Sequence, residues 1–161
     1  MDAEQLNDES TPAQVPPAVD PALFASLVRD ATDDDLARGF SANRELILAE
    51  VFQRMPEHFD PNRAAGVSAV VEWRILERDD GGHDAFHLII ADGRCRLAHG
   101  PAERPAVTYE IAPVDFIRLV TGNASGPKLF LFGRLRISGN LLLAARMQTF
   151  FRIPGSAPGG G

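Results

Sequence analysis

The chain has 161 residues, 45% of them hydrophobic, enough for one domain with a substantial core and short for two. Its formal charge of −6 excludes a general nucleic-acid binder, which needs a concentrated basic surface to neutralise phosphates. A single cysteine, Cys95, excludes an internal disulfide framework and fits a reducing compartment.

The charge is uneven: residues 1–60 carry four Arg against thirteen Asp and Glu, whereas residues 101–161 carry seven Lys and Arg against three acids. Arginines often line solvated strand faces, so the basic end reads first as a wet sheet edge. No N-terminal stretch has the basic-then-apolar build of a signal peptide, and no apolar run reaches the roughly 18 residues of a membrane span. A cytoplasmic location is the expectation.

Residues 1–19 are acidic, contain Pro12, Pro16 and Pro17 and show no apolar period, which predicts a disordered tail. One domain is expected over 20–153. Pro21 opens a short helix after Asp20 as cap, with Leu23, Phe24, Leu27 and Val28 on one face. Asp33, Asp34 and Asp35 have the look of a metal-ligand run, but adjacent carboxylates at a helix start read more simply as cap and dipole partners. Over 41–59, Ile47, Val51, Met55 and Phe59 recur at four-residue steps beside Leu48 and Phe52, the period of a helix. Pro56 removes a backbone donor, so this helix is expected to end or kink near Met55.

Val67, Ala69, Val71, Trp73 and Ile75 then alternate with Glu72 and Arg74, the period of a strand with one buried and one wet face. Asp79-Asp80-Gly81-Gly82 is turn chemistry, and Phe86, Leu88 and Ile90 make the returning strand. Asp92-Gly93 turns again into Arg94 to Ala98, which Gly100-Pro101 stops. Val107, Tyr109 and Ile111 mark a fourth strand, and Pro113 starts a helix with Phe116, Ile117, Leu119 and Val120. Leu135 and Ile137 alternate with Arg134, Arg136 and Ser138 in a fifth, which Gly139 breaks. From the capping Asn140 the pattern becomes helical, with Leu143, Met147 and Phe150 on a stripe that Leu142 and Phe151 widen. A helix so apolar must be buried on several sides or line something itself apolar. Residues 154–161, rich in glycine and proline, read as a flexible tail.

Polar chemistry is sparse. His83 and His87 are four apart, but on a strand this spacing is about 13 Å, too far to share one zinc. Cys95 with His99 or His87 lacks an orienting partner and reads as a packed strand cysteine. Gly122 to Leu129 is too short for a phosphate loop and places Leu129 where a magnesium-binding hydroxyl belongs. The glycine-rich end reads as unstructured rather than as an activated C-terminus. No catalytic residue, metal ligand or cofactor site is expected.

Asp92-Gly93-Arg94-Cys95, Gly100, Val107 to Ile111, Asp115-Phe116, Leu119 to Gly122, Leu129-Phe130 and Gly133 to Asn140 together resemble the sterol carrier protein 2 domain. The resemblance spans roughly Val67 to Phe151 and departs from the pattern at Ala112-Pro113, where the family usually has a capping Ser or Thr. It implies an α+β fold in which helices cover a curved, five-stranded, mostly antiparallel sheet and enclose an apolar tunnel for a sterol, fatty acid or acyl-CoA. Trp73, Phe86, Phe116, Val120, Phe130, Phe132, Leu142, Met147 and Phe150 are the candidate tunnel residues. Burying fourteen methylenes is worth about 11 kcal/mol at ~0.8 each, which ordering costs of about 4 to 15 kcal/mol reduce to loose, reversible binding. The implied function is non-catalytic lipid binding and transfer. The partners would be a lipid and a transient membrane or lipid-enzyme contact, with the protein a monomer or weak dimer. The alternative is an accessory module that uses its apolar last helix for dimerisation or docking.

Overall fold

The computed structural model describes residues 21–151; the expected N-terminal tail, the Asp20 cap and the glycine-rich C-terminal tail lie outside them. Three helices come first: α1 (Pro21–Asp30), α2 (Asp33–Ala42) and α3 (Arg44–Arg54), the last running into a 3-10 turn at Met55–His58. The run of aspartates is indeed a helix start. The Thr32 side chain accepts from the Asp35 N–H, Asp35 answers with its carboxylate, and the three acids sit in the first turn, where the helix dipole favours negative charge. The periodic helix is shorter than expected, because Ser41 belongs to α2 and α3 begins only at Arg44. Pro56 ends it as expected, and Leu48 and Phe52 are its buried positions.

Five strands follow: β1 (Ala69–Ile75), β2 (Asp84–Ala91), β3 (Arg94–His99), β4 (Val107–Ile111) and β5 (Leu135–Gly139). Between β4 and β5 lie α4 (Pro113–Val120) and α5 (Gly126–Leu131), and α6 (Leu141–Phe150) closes the order. The sheet runs β3-β2-β1-β4-β5, with β1 and β4 parallel and every other pair antiparallel. Helix α5 was not legible. The sequence after Gly126 reads as the approach to a strand, yet Ser125 caps a helix by accepting from the Lys128 N–H at 3.3 Å.

Parallel strands ordinarily need a crossover of about a dozen residues. Here residues 100–106 suffice, because β3 ends at His99, level with Phe86 and hence Trp73, while β4 starts at Val107, level with Val71. The connection therefore crosses β2 and β1 almost at one level. It is stitched down on the way. Gly100 N–H donates to the Ala85 carbonyl (2.9 Å), Ala102 N–H to Glu72 Oε1 (2.8 Å) and Ala106 N–H to the Val70 carbonyl (2.7 Å). His87 Nδ1 lies 2.9 Å from the Gly100 carbonyl, which can only accept, so Nδ1 is the donor.

This crossing corrects one expectation. Glu72 alternates with the buried Val71 and reads as solvent-facing, yet it is only 1% exposed. Alternation shows which side chains oppose the helices; it cannot show that a loop will cover the other face. Glu72 also accepts from Arg74 Nε at 2.6 Å, and Arg74 Nη1 continues to Glu110 at 3.1 Å. Burial alone would push the Glu72 carboxyl up. The hydrogen bonds from Arg74 and Ala102, with the charges of Arg74 and His87, outweigh it and hold the group below its ordinary value near 4.5.

Two further contacts fix the frame. Arg44, at the start of α3, donates to Asp84 (2.6 Å) and to the carbonyls of Ile75 (2.7 Å) and Leu76 (3.0 Å), tying that helix to the end of β1. Gly139 (φ +96°) lets β5 turn into α6, and a Cβ there would lie 2.2 Å from the Ala106 carbonyl oxygen.

Two outcomes follow. Gly139→Ala is expected to cost about 3 kcal/mol in urea unfolding, through backbone clash and strain; a loss under 1 kcal/mol contradicts the close approach. The lowered Glu72 value contributes stability that is complete above about pH 4.5 and disappears as pH falls through the folded value. Glu72→Gln should flatten the acid limb of the urea midpoint against pH, and an unchanged limb would show that Glu72 does not carry it.

Candidate functional site

The strand register sets one residue from each strand in a row across the helix-facing side of the sheet: His99, Phe86, Trp73, Tyr109 and Ile137. Four of the five are aromatic. Trp73 stacks on Tyr109 with ring centres 4.5 Å apart, and His99 meets Phe86 edge-on at 5.4 Å. A second tier comes from the helices. Phe52 of α3 stacks on Phe86 at 4.2 Å and on Phe116 of α4 at 5.4 Å, and Phe116 reaches Trp73 edge-on at 5.6 Å. Phe52 and Phe116 are fully buried.

Helix α6 lies over the same layer through Ala144, Met147 and Phe150, all buried. Besides the Asn140 N–H, which donates to the Ala106 carbonyl at its start (2.8 Å), it is held at two points. The Tyr109 hydroxyl donates to the Ala144 carbonyl at 3.1 Å, and the Asp60 N–H donates to the Phe150 carbonyl at 2.7 Å, where Phe59 and Phe151 form a β-bridge. Both are single hydrogen bonds, worth about 1 kcal/mol each. On the other side, Arg134 grips the buried Asp115 of α4 through Nη2 at 2.7 Å and Nε at 3.0 Å, fixing the turn between α5 and β5.

One polar atom in this interior is unpaired. Trp73 Nε1 is buried and has no hydrogen-bond partner among the described residues. An indole N–H can only donate, and leaving it unpaired away from water costs about 1 to 3 kcal/mol. On the helix side, a cleft of about 150 Å³ opens between Glu45, Leu48, Ala49, Asp84, Phe86 and His99. It stops at Phe86, behind which stand Phe52 and then Trp73. That volume is below the roughly 300 Å³ at which ordinary ligand pockets begin. Behind it the aromatic side chains pack on one another.

The nine side chains proposed from sequence divide into two groups. Trp73, Phe86 and Phe116 meet directly, Met147 and Phe150 are buried in the same cluster, and Val120 packs against it partly exposed. Phe130, Phe132 and Leu142 lie outside, 46%, 72% and 82% exposed. The buried positions of α6 are three apart, which turns Leu142 to the opposite side. Phe52 and Tyr109 are central here and were not singled out from sequence. Tyr109 shared the parity of its strand, but only the register reveals that it stacks on Trp73.

The polar candidates are apart from one another. Cys95 and His99 share a face of β3 but are separated along it, while His87 points to the other face. Burial pushes the Cys95 thiol up to about 12, far from a thiolate. No group of three metal-ligating side chains occurs among the described residues.

Comparison with known proteins agrees with this architecture. The SCP-2 sterol transfer family matches residues 48–152. Human sterol carrier protein 2 is 24% identical over 119 residues, covering 74% of this chain and 21% of the relative, so the chain spans about a fifth of that protein's length. The crystal structure of sterol carrier protein 2 like 2 from Aedes aegypti superimposes with a TM-score of 0.54 at 19% identity, covering 67% of this chain and 95% of that one. The solution structure of palmitated SCP2L2 from the same species gives 0.52 at 18% identity, covering 63% and 90%. With the family profile matching well over half its length, the chain belongs to the SCP-2 sterol transfer family.

Proposed function

We propose that this protein is a cytoplasmic lipid carrier that binds one acyl chain or sterol between the aromatic row and helices α3, α4 and α6, and releases it without catalysing a reaction. Family membership supports lipid binding and transfer in general. The observation that carries the finer reading is an interior made of Phe52, Phe86, Phe116, Trp73, Met147 and Phe150 with one unpaired donor in its midst. A hydrocarbon chain replaces aromatic contacts at little cost, and the ligand's oxygen gives Trp73 Nε1 the acceptor it lacks. Palmitate on the mosquito relative supports an acyl chain as one occupant.

Chemistry narrows the buried end of the ligand. A carboxylate there would bring a charge with no cationic partner beside Trp73, whereas a hydroxyl, ester or thioester oxygen accepts the same hydrogen bond uncharged. Fatty alcohols, sterols and acyl thioesters therefore fit better than a free acid inserted head first. Loading requires Phe52 and Phe86 to swing or α6 to lift, and α6 is held chiefly by its apolar contacts and the bonds at Ala144 and Phe150. Rotamer changes and the loosening of one helix are small motions, which suit loose, reversible binding.

The test is to purify the protein, extract co-purified lipid for mass spectrometry, and titrate a fluorescent fatty acid against oleyl alcohol and cholesterol. Saturable displacement is expected, and neither co-purified lipid nor displacement would refute the carrier reading. Trp73→Phe, which keeps an aromatic ring but removes the donor, should weaken oleyl alcohol about fivefold while leaving a saturated hydrocarbon unaffected, as expected for one neutral hydrogen bond. Equal losses for both ligands would assign Trp73 a packing role only.

A further inference from the structure

After Asp115 the sequence holds Arg118, Lys128, Arg134, Arg136, Arg146 and Arg152 and no Asp or Glu, whereas the first 115 residues hold ten basic against twenty-two acidic residues. The most exposed large apolar side chains among the described residues fall in the same basic part: Leu142 at 82%, Leu131 at 76% and Phe132 at 72%, with Leu141 at 55% and Phe130 at 46% beside them. Isolated exposed leucines are ordinary; three consecutive exposed apolar residues ending a helix, joined by two more at the next helix start, are not. The five flank the edge strand β5, on α5, the turn after it and the first turn of α6. The two helices adjoin, since a Cβ on Gly126 would meet the Gln148 amide at 2.9 Å.

The charges around this face are partly committed. Arg118 reaches Asp33 at 2.6 Å and Arg134 is paired with Asp115. Lys128 and Arg146 are exposed, with Arg146 over the Phe150 ring at 5.4 Å, whereas Arg136 sits opposite Glu110 in the register of β4 and β5, on the face of the sheet away from the helices.

We propose that α5 and the first turn of α6 form the face by which this protein docks on an anionic lipid bilayer. Apolar side chains enter the boundary between headgroups and acyl chains, while Lys128 and Arg146 are drawn to the negative surface. The acidic remainder is repelled, which sets the orientation. A second copy of the chain is the weaker occupant, because a two-fold interface would press this basic face against itself. The proposal rests on the carrier reading for its purpose: α6 turns Leu141 and Leu142 outward and Ala144, Met147 and Phe150 inward, so docking and the cover of the interior are two sides of one helix.

The experiment is co-sedimentation of the full chain with vesicles of phosphatidylcholine alone and of phosphatidylcholine mixed with phosphatidylglycerol. Binding is expected only to the mixed vesicles and should be reversed by high salt. The double variant Leu131→Ser with Leu141→Ser should lower partitioning about tenfold, and so should Lys128→Glu with Arg146→Glu, which leaves every apolar side chain in place. Equal binding to both vesicle types, unchanged binding of both double variants, or a dimer in light scattering that these substitutions split, each overturns the proposal. Displacement titrations on the same proteins separate the two readings. Vesicle binding without lipid loading removes the carrier and leaves the face, and loading without vesicle binding does the reverse.

Discussion

The structure depends on Phe52. It is fully buried, stacks on Phe86 from the sheet and on Phe116 from α4, and so joins the helical cover to the strands in one aromatic layer. The sheet contributes its half only because of register. One residue from each strand falls in line at the level of Trp73, and the parallel pairing of β1 with β4 places Tyr109 there. That pairing in turn depends on the short crossing of residues 100–106, which the buried Glu72 and the half-buried His87 fasten to the far side of the sheet. A polar device on one face thus sets the apolar device on the other.

The functional consequence lies in the balance of the interior. A layer of stacked rings is stable when closed, because each aromatic pair adds about 0.5 to 1.5 kcal/mol beyond its buried area. On the proposed carrier reading it is also replaceable, because an acyl chain or sterol would restore the same apolar contacts. On the same reading the unpaired Trp73 Nε1 would tilt that exchange toward ligands that bring an oxygen. Helix α6 is suited to be the moving part, being apolar on both sides and joined to its surroundings by few hydrogen bonds.

Much of this was legible in the sequence, and what was missed has physical reasons. The strands announced themselves because Val71, Trp73 and Ile75, Phe86, Leu88 and Ile90, and Val107, Tyr109 and Ile111 recur at every second position, and Pro56 marked the end of α3 because a proline cannot donate its backbone hydrogen bond. Helix α5 escaped because Gly126, Pro127 and three apolar residues give no helical period, its existence resting on a single serine cap. Glu72 was misread because alternation is blind to a covering loop. Phe130, Phe132 and Leu142 stand among the candidate residues for tunnel wall or lid, and hydrophobicity could not say that their side chains face out.

The central claim is that the aromatic layer around Trp73 opens to admit a lipid. Trp73 is the sole tryptophan, so its emission reports on this layer and nothing else. Titration of the delipidated protein with oleyl alcohol is predicted to shift the emission maximum and intensity saturably, as Nε1 gains an acceptor and the stacking on Tyr109 changes. An emission that stays constant across the titration, while the same samples take up the alcohol, would place the ligand elsewhere and contradict the account.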